Sequence, residues 1–457
     1  VIRLYSTLSG KKEEFKPVKD GKVGMYFCGM TVQDRPHIGH IRAFITADVI
    51  RRYFEFSGFN VKHIQNITDI DDKVIKKAEE TGEDYRSIAK RNIDEYFESA
   101  DKLNIKRASF YPEATKHIQE IQELVAVLVE KGFAYVSDGN VYYDVSKYSG
   151  YGKLSGKNLK GLRVGARVEP DKLKRNPVDF SVWKAAKQGE PWWESKWGRG
   201  RPGWHIECSA MSMHYLGETF DIHGGGADLI FPHHENEIAQ SEAATGKPFA
   251  RYWVHNGLLN LTGEKMSKSV GNVFFISDIL KIYKPDVVRL YLLSTHYRSP
   301  LDFYEERLRE QEGGYERLKQ ALFLLSKIDN KAPGVDKKVL DGFREAMDDD
   351  FNTPKALSLI YSLSRDVFEA FKKNPEEKWL LTARVTLKTM LKVLGLFENE
   401  EENNIGHDKE LIELILNLRR VLREKKLFDV ADKIRSDLLQ LSIEIEDTSD
   451  GSRWKKI

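Results

Sequence analysis

The sequence predicts an α/β protein: a split, doubly wound parallel sheet with an inserted connective domain, then an α-helical bundle and a small C-terminal α/β domain. Three observations lead to that expectation. Strand–helix–strand patterns occur twice, once in the first seventy residues and once past residue 218. About 130 residues of different character separate them, as in one parallel sheet interrupted by an insertion. Past residue 305 the pattern turns to consecutive amphipathic helices.

The first unit opens with "KVGMYFCGMTV", a short apolar run of strand type. "HIGHIRAFITADVIRRYFEFSG" follows, with Ile41, Phe44, Ile45, Val49 and Tyr53 at helical spacing and Gly58 as a stop. "NVKHIQNIT" is the next strand, and such a unit places ligands at the strand C-terminal ends. The insertion holds a helix, "EATKHIQEIQELVAVLVEKG", and a hairpin, "AYVSDGNVYYDV", expected to turn at Asp138 and Gly139. The second unit is "TFDIHGGGADLIF", a helix beginning near Pro232, and the strand "RYWVHNGLLNL". Amphipathic helices come next. The acidic stretch "ENEEENN" reads as a linker, followed by two helices and the hairpin "SIEIEDTSDGSRWKKI".

Composition narrows the class. The 457 residues allow two to four domains, and 31% charged with 41% hydrophobic residues is the balance of a soluble globular chain. No apolar run has the length of a membrane span, and "VIRLYSTLSG" lacks a signal-peptide pattern, so a cytoplasmic address without a membrane partner is expected. Two cysteines, Cys28 and Cys208, provide no disulfide framework and suit a reducing compartment. Net charge is +2, and residues 301–457 sum to about −4, so any nucleic-acid contact rests on local groups such as Arg453, Trp454, Lys455 and Lys456. No dimerisation signal is evident, and a monomer is expected.

Two motifs carry chemistry. "PHIGH" (36–40) falls where a strand ends and a helix begins, so free backbone N–H groups and the helix dipole face an anion there. Gly39 allows close backbone approach, and His37 and His40 share a face from which both can donate to phosphoryl oxygens. "GEKMSKSVGN" (263–272) sets Lys265 and Lys268 in a serine-rich segment between glycines, suited to a polyphosphate.

The pairing of HIGH with KMSKS resembles class I aminoacyl-tRNA synthetases. The blocks "YFCGMTVQDRPHIGH", "NITDIDDKVIK", "GWHIECSAMS", "FDIHGGGADLIFPHHENEIAQSE" and "EKMSKSVGN" further resemble, in order, those of the cysteinyl-tRNA synthetase family. The resemblance implies a Rossmann-like catalytic domain in two halves, 1–108 and 201–304, around a connective region, 109–200. A tRNA-binding helical bundle (305–397), a linker (398–408) and an anticodon-binding region (409–457) would complete the chain. Stacking of Trp454 on an unpaired anticodon base is one use for that end; an ordinary packed tryptophan is the other.

Within the resemblance, "FPHHENEIAQ" is open to two readings. Pro232 suits the first turn of a helix. His233 and Glu237, four apart, share one face; His234 and Glu237, three apart, are the rival pair, and Glu235 points elsewhere. The resemblance places one zinc ion per chain on Cys28, Cys208, His233 and Glu237, leaving His234 and Glu235 as supporting or surface groups. Zinc there would select the substrate, because a soft thiolate binds it in a way that serine cannot mimic.

The resemblance also implies a cysteine and ATP pocket of Gly29, Thr31, Gly39, Thr68 and Trp204. His223 would lie beside it, Gly224, Gly225 and Gly226 would let backbone approach adenosine, and Asp228 would meet the ribose. The implied reaction joins L-cysteine to ATP, carried with Mg²⁺, to form an adenylate, and then passes the cysteinyl group to tRNA(Cys). His37, His40, Lys265 and Lys268 would act by position and charge. A ligase passing cysteine to a small amine, a non-catalytic RNA-binding relative and a structural zinc protein are the rivals. The full C-terminal region argues against the first, and the intact phosphate motifs argue against the other two.

Overall fold

The computed structural model describes residues 1–157, 172–261, 274–328, 334–374, 379–398, 400–440, 443–448 and 451–456. The chain forms two compact units, Val1–Leu396 and Phe397–Ile457. An antiparallel pair, β1 (Arg3–Ser6) and β2 (Lys11–Glu14), precedes the expected β-α-β unit of β3 (Lys22–Phe27), α1 (Ile38–Phe56) and β4 (Asn60–Gln65). The helical apolar residues named above are all buried, and Gly58 takes φ 93°, which only glycine adopts freely. α2 (Asp72–Thr81) and α3 (Tyr85–Lys102) lead into the insertion, which begins with α4 (Ile118–Glu130).

The insertion is an antiparallel sheet of β5 (Ala134–Ser137), β6 (Asn140–Tyr143), β7 (Phe180–Ala185) and β8 (Gly200–Pro202). Its first hairpin turns at Asp138 (φ 48°) and Gly139 (φ 74°), as the Asp-Gly pair predicts. α5 (Trp204–Leu216), β9 (Phe220–Gly226), α6 (Glu235–Thr245) and β10 (Ala250–Asn256) return the chain to the first sheet. The two halves close into one parallel sheet of order β10-β9-β3-β4. Ile121, Val125, Val141, Val182 and Trp183 of the insertion share one core with Ile206, Ala210 and Ala239 of α5 and α6. The inserted sheet is therefore fastened to the helices that carry the site, not hung from a linker.

β11 (Leu259–Leu261), α7 (Ile276–Ile282), α8 (Pro285–Leu293) and β12 (Leu301–Phe303) complete this part, with β11 and β12 parallel. The bundle is α9 (Glu305–Ser326), α10 (Lys337–Asp348), α11 (Thr353–Lys373) and α12 (Trp379–Val393). Leu318, Phe343, Ile360 and Leu387, one from each helix, are fully buried. Beneath it lies a charged core. Asp48 of α1 accepts from Arg52 (2.8 Å), from Arg289 of α8 and from the Lys106 backbone (2.9 Å). Arg289 also donates to the carbonyls of Leu394 and Leu103, and Arg52 to those of Lys392 and Asn104.

The second unit contains α13 (Glu400–Glu424), α14 (Phe428–Gln440) and the antiparallel pair β13 (Ile443–Thr448) and β14 (Gly451–Lys456). Residues 398–408, expected as a linker, enter a helix at Glu400 instead. Low hydrophobicity signals exposure, but glutamate is a good helix former, and the two are compatible. Ile412, Leu416, Leu438 and Ile445 form a small core against which Trp454, paired with Ile445, packs half-buried. Among the described residues, no helix is long and apolar enough to cross a membrane.

Candidate active site

The parallel strands end on one side in a cavity of about 440 Å³. The tips of β3 and β4 close its floor. Gly29 donates its N–H to Asn66 Oδ1 (2.8 Å), and a Cβ at Gly29 would run into the Asn66 carbonyl. Thr31 and Thr68 pair just beyond, with Val32 donating to the Thr68 carbonyl. Gly29, Thr31, Thr68, Trp204, Gly226 and Asp228 all line the cavity, as do His37, Gly39 and His40 at one end.

The two histidines cap α1 reciprocally. The His40 N–H donates to His37 Nδ1 (3.3 Å) and the His37 N–H to His40 Nδ1 (3.4 Å), with the rings stacked at 3.5 Å between centroids. Each Nδ1 is thus an acceptor, so each ring carries its proton on Nε2. Burial pushes the His40 imidazolium down to about 3, helped by His37 and Lys73, and burial also lowers His37. At neutral pH both are uncharged donors at a helix N-terminus, a geometry for phosphoryl oxygen. Lys265 and Lys268 lie outside the described residues.

At the other end four buried ligand atoms, from Cys28, Cys208, His233 and Glu237, lie within 4.8 Å of one another. Cys28 Sγ is 4.0 Å from Cys208 Sγ and 3.7 Å from Glu237 Oε1; His233 Nε2 is 3.0 Å from the same oxygen. Cys28, His223, His234 and Glu237 form a rival set whose ligand atoms also lie within 4.8 Å of one another. Access separates the two. Cys28, Cys208 and His233 face the cavity, whereas His223 and His234 are not among its lining residues. His234 Nδ1 meets His255 Nε2 at 2.7 Å, and His255 Nδ1 meets Thr7 Oγ1 at 2.7 Å. His223 Nε2 holds the other carboxylate oxygen of Glu237 at 2.8 Å.

The four groups set one another's charge. Burial raises Glu237, yet His223 and His233 outweigh it and hold the carboxyl at about 2. Burial lowers His233, but Glu237 and Cys208 lift it to about 10. Burial also raises the Cys208 thiol; the Cys28 hydrogen bond and His233 bring it down to about 6, while burial and Cys208 keep Cys28 well up. Two sulfurs, an imidazole and a carboxylate are the donor set that suits zinc.

Several expectations need correction. His223 is fully buried behind Glu237 and is not among the residues that line the cavity. Gly224 and Gly225 do not line the cavity. A Cβ on Gly224 would strike the Phe27 ring, and one on Gly225 would crowd Leu229 and His234, so close packing by itself requires a glycine at both positions. The helix does begin at Pro232 as expected: Phe231 just before it is extended (φ −141°, ψ 130°), the preference of a residue before proline, and the turn through His234 runs on into the regular helix from Glu235. Neither His234 nor Glu235 is a surface group: both are fully buried, and Glu235 accepts from the backbones of Gly152, Leu154 and Ser155.

Sequence reasoning missed three residues. Glu207 accepts from Thr68 Oγ1 (2.9 Å) and Asn66 Nδ2 donates to that same oxygen (3.2 Å), which orients the hydroxyl at the cavity floor. His205 Nδ1 is 2.9 Å from His233 Nδ1, while the Trp204 ring lies 4.3 Å from that of His233. All three lie inside the blocks "NITDIDDKVIK" and "GWHIECSAMS", so membership of a block was the available signal. Carboxylate ligands lose affinity when their outer partner is removed, so His223→Ala is expected to weaken metal binding about 10–100-fold. Competition against a chromophoric chelator measures this, and an unchanged affinity would show that Glu237 needs no such support.

A methionyl-tRNA synthetase of Mycobacterium tuberculosis, solved with methionyl-adenylate, superposes with a TM-score of 0.59 at 18% identity, covering 82% of this chain and 89% of that one. A putative arginyl tRNA synthetase from Campylobacter jejuni gives 0.53 at 12% identity over 83% and 94%. The family described as tRNA synthetases class I (C) catalytic domain matches residues 14–313, and the DALR domain matches residues 342–398. Fold and site thus define a class I aminoacyl-tRNA synthetase. Relatives named cysteine–tRNA ligase narrow this: that of Carboxydothermus hydrogenoformans is 49% identical over 100% of both chains. The Thermococcus gammatolerans protein is 48% identical over 100% of this chain and 99% of its own. The chain belongs to the cysteine–tRNA ligase family.

Proposed function

We propose that the protein activates L-cysteine with ATP and transfers it to the 3′-terminal adenosine of tRNA(Cys). One observation carries this reading: a cavity with two uncharged histidines at a helix N-terminus at one end and a sulfur-rich ligand cluster at the other. In the first step the cysteine carboxylate attacks the α-phosphate and pyrophosphate leaves. The Nε2–H groups of His37 and His40 receive phosphoryl oxygens, and Lys265 and Lys268 neutralise charge on the departing pyrophosphate. Asp228 accepts from the ribose hydroxyls. Thr68, its hydroxyl fixed by Glu207 and Asn66, orients the amino acid, and Trp204 bounds the pocket over His233. In the second step a terminal ribose hydroxyl of tRNA attacks the adenylate carbonyl, the bond from that carbonyl carbon to the phosphate oxygen breaks, and AMP leaves as the hydroxyl gives up its proton. No protein nucleophile is needed.

Cys28, Cys208, His233 and Glu237 would hold zinc, which when bound supplies a Lewis acid that favours a thiolate over a hydroxyl. The cavity-facing sulfurs place that preference at the pocket wall, where shape alone separates cysteine from serine by only about 1–3 kcal/mol. ATP with Mg²⁺, a monomeric state and a cytoplasmic location belong to the same proposal. Pyrophosphate exchange with cysteine against serine, followed by charging of transcribed tRNA, tests it; exchange that ignores the side chain, or no charging, would sink it. His37→Ala and Lys268→Ala are expected to slow exchange about 10²–10³-fold with zinc content unchanged. Loss of metal from either variant would overturn this division of labour.

A further inference from the structure

Arg35 immediately precedes the phosphate motif and has no assigned role. Its side chain is one-third exposed, at 34%, and binds in three directions. Nε donates to both oxygens of Glu95 on α3 (2.9 and 3.1 Å). Nη1 and Nη2 reach Asp278 in the first turn of α7 (3.1 and 3.3 Å), and Nη2 also donates to Ser277 Oγ. The guanidinium lies 4.5 Å from the centroid of the Phe275 ring. Ser277 Oγ in turn donates to Glu95, so the group closes into a ring of contacts.

What this ring clamps is a short backbone pairing. Ile38 N–H donates to the Phe274 carbonyl and Ile276 N–H to the Pro36 carbonyl, both at 3.0 Å, with His37 opposite Phe275. Among the described residues the pairing has two hydrogen bonds, too few to hold itself against solvent. Arg35 spans its flank and ties both strands to α3. Phe274 follows Lys268 by six positions in the chain, so the clip joins the histidine motif to the segment that comes after the lysine motif in sequence.

We propose that Arg35 is a positioning residue for cysteine activation, holding His37 and the chain that follows the lysine motif in one register. The inference rests on the function proposed above. A planar fork suits it: two carboxylates and an aromatic face are engaged at once, which a lysine cannot reproduce. Partly exposed ion pairs contribute little to global stability, so the variant should fold. Misplacement of a reacting group by about 1 Å can nevertheless cost on the order of 100-fold in rate.

The test compares Arg35→Leu, Arg35→Lys and Asp278→Asn in the full-length, zinc-loaded protein. Arg35→Leu is expected to lower kcat for cysteine-dependent pyrophosphate exchange about 10–100-fold and to raise the KM for ATP. The KM for cysteine, the zinc content and the thermal midpoint should stay near wild type, with Arg35→Lys and Asp278→Asn intermediate. Hydrogen exchange at the Ile38 and Ile276 amides should speed up in the same order. If those amides stay as protected as in wild type, or kcat stays within about twofold while wild type is active, the inference fails. An inactive wild type would sink the function proposed above, while the amide exchange would still decide whether Arg35 holds the clip.

Discussion

Replacing Cys208 with serine is expected to strip the protein of zinc and to lower cysteine-dependent pyrophosphate exchange by on the order of 10³-fold or more. Groups that merely support a metal ligand are each worth about 10–100-fold, and Cys208 would be a ligand itself. The substitution is nearly isosteric, and Cys208 is only 1% exposed, so packing changes little. The lost interaction is therefore chemical. Elemental analysis and exchange kinetics read the two effects independently. A Cys208→Ser protein with full zinc and full preference for cysteine would remove the cluster from the mechanism.

Asp48→Asn is expected to cost about 3–5 kcal/mol of stability, because it leaves Arg289 and Arg52 buried without their counter-charge. The Asp48 side chain is fully buried, and so is that of Arg289. Burial acts to raise the Asp48 carboxyl, but Arg289 and Arg52 together hold it below the usual range. The sign follows from that depression. The stabilisation is fully present above the unfolded carboxylate value of about 3.9 and is lost as pH falls through that value toward the folded one. Denaturant midpoints at neutral pH should drop sharply in the variant. Acid titration of both proteins should show a loss below about pH 4 that is smaller in Asp48→Asn than in wild type. Equal midpoints at neutral pH would mean that the bundle is held to α1 by its apolar contacts alone.

Much of the site was legible because its parts are local. The His37–His40 capping pair needs only a strand end, a helix start and a three-residue spacing, and its neutral donors follow from burial. His233 and Glu237 fall on one side of a helix by spacing alone, and their side chains do meet, at 3.0 Å. The misreadings were of another kind. Glycines at 224 and 225 look alike to a sequence whether they admit a ligand or the Phe27 ring and the His234 side chain. Glu235 carries every mark of an exposed helix start, yet three backbone N–H groups from the insertion turn it inward. Arg35 gave no signal, since its partners Glu95 and Asp278 are 60 and 243 residues away.

By itself, then, the sequence determined the elements: the two β-α-β units, the Asp138–Gly139 hairpin, the helical bundle and the residue types able to bind phosphate and metal. Periodicity, capping and turn chemistry act over a few neighbours, and those neighbours are written side by side. Tertiary structure alone decided which of two Cys/His/Glu sets faces the cavity, that His223 backs Glu237, and that Arg35 bridges α3 and α7. Each of these depends on residues far apart in the chain, Cys28 and Cys208 being 180 apart. Their meeting is set by how β3, α5 and α6 pack around one core, and packing is a property of surfaces in contact, which no local pattern encodes.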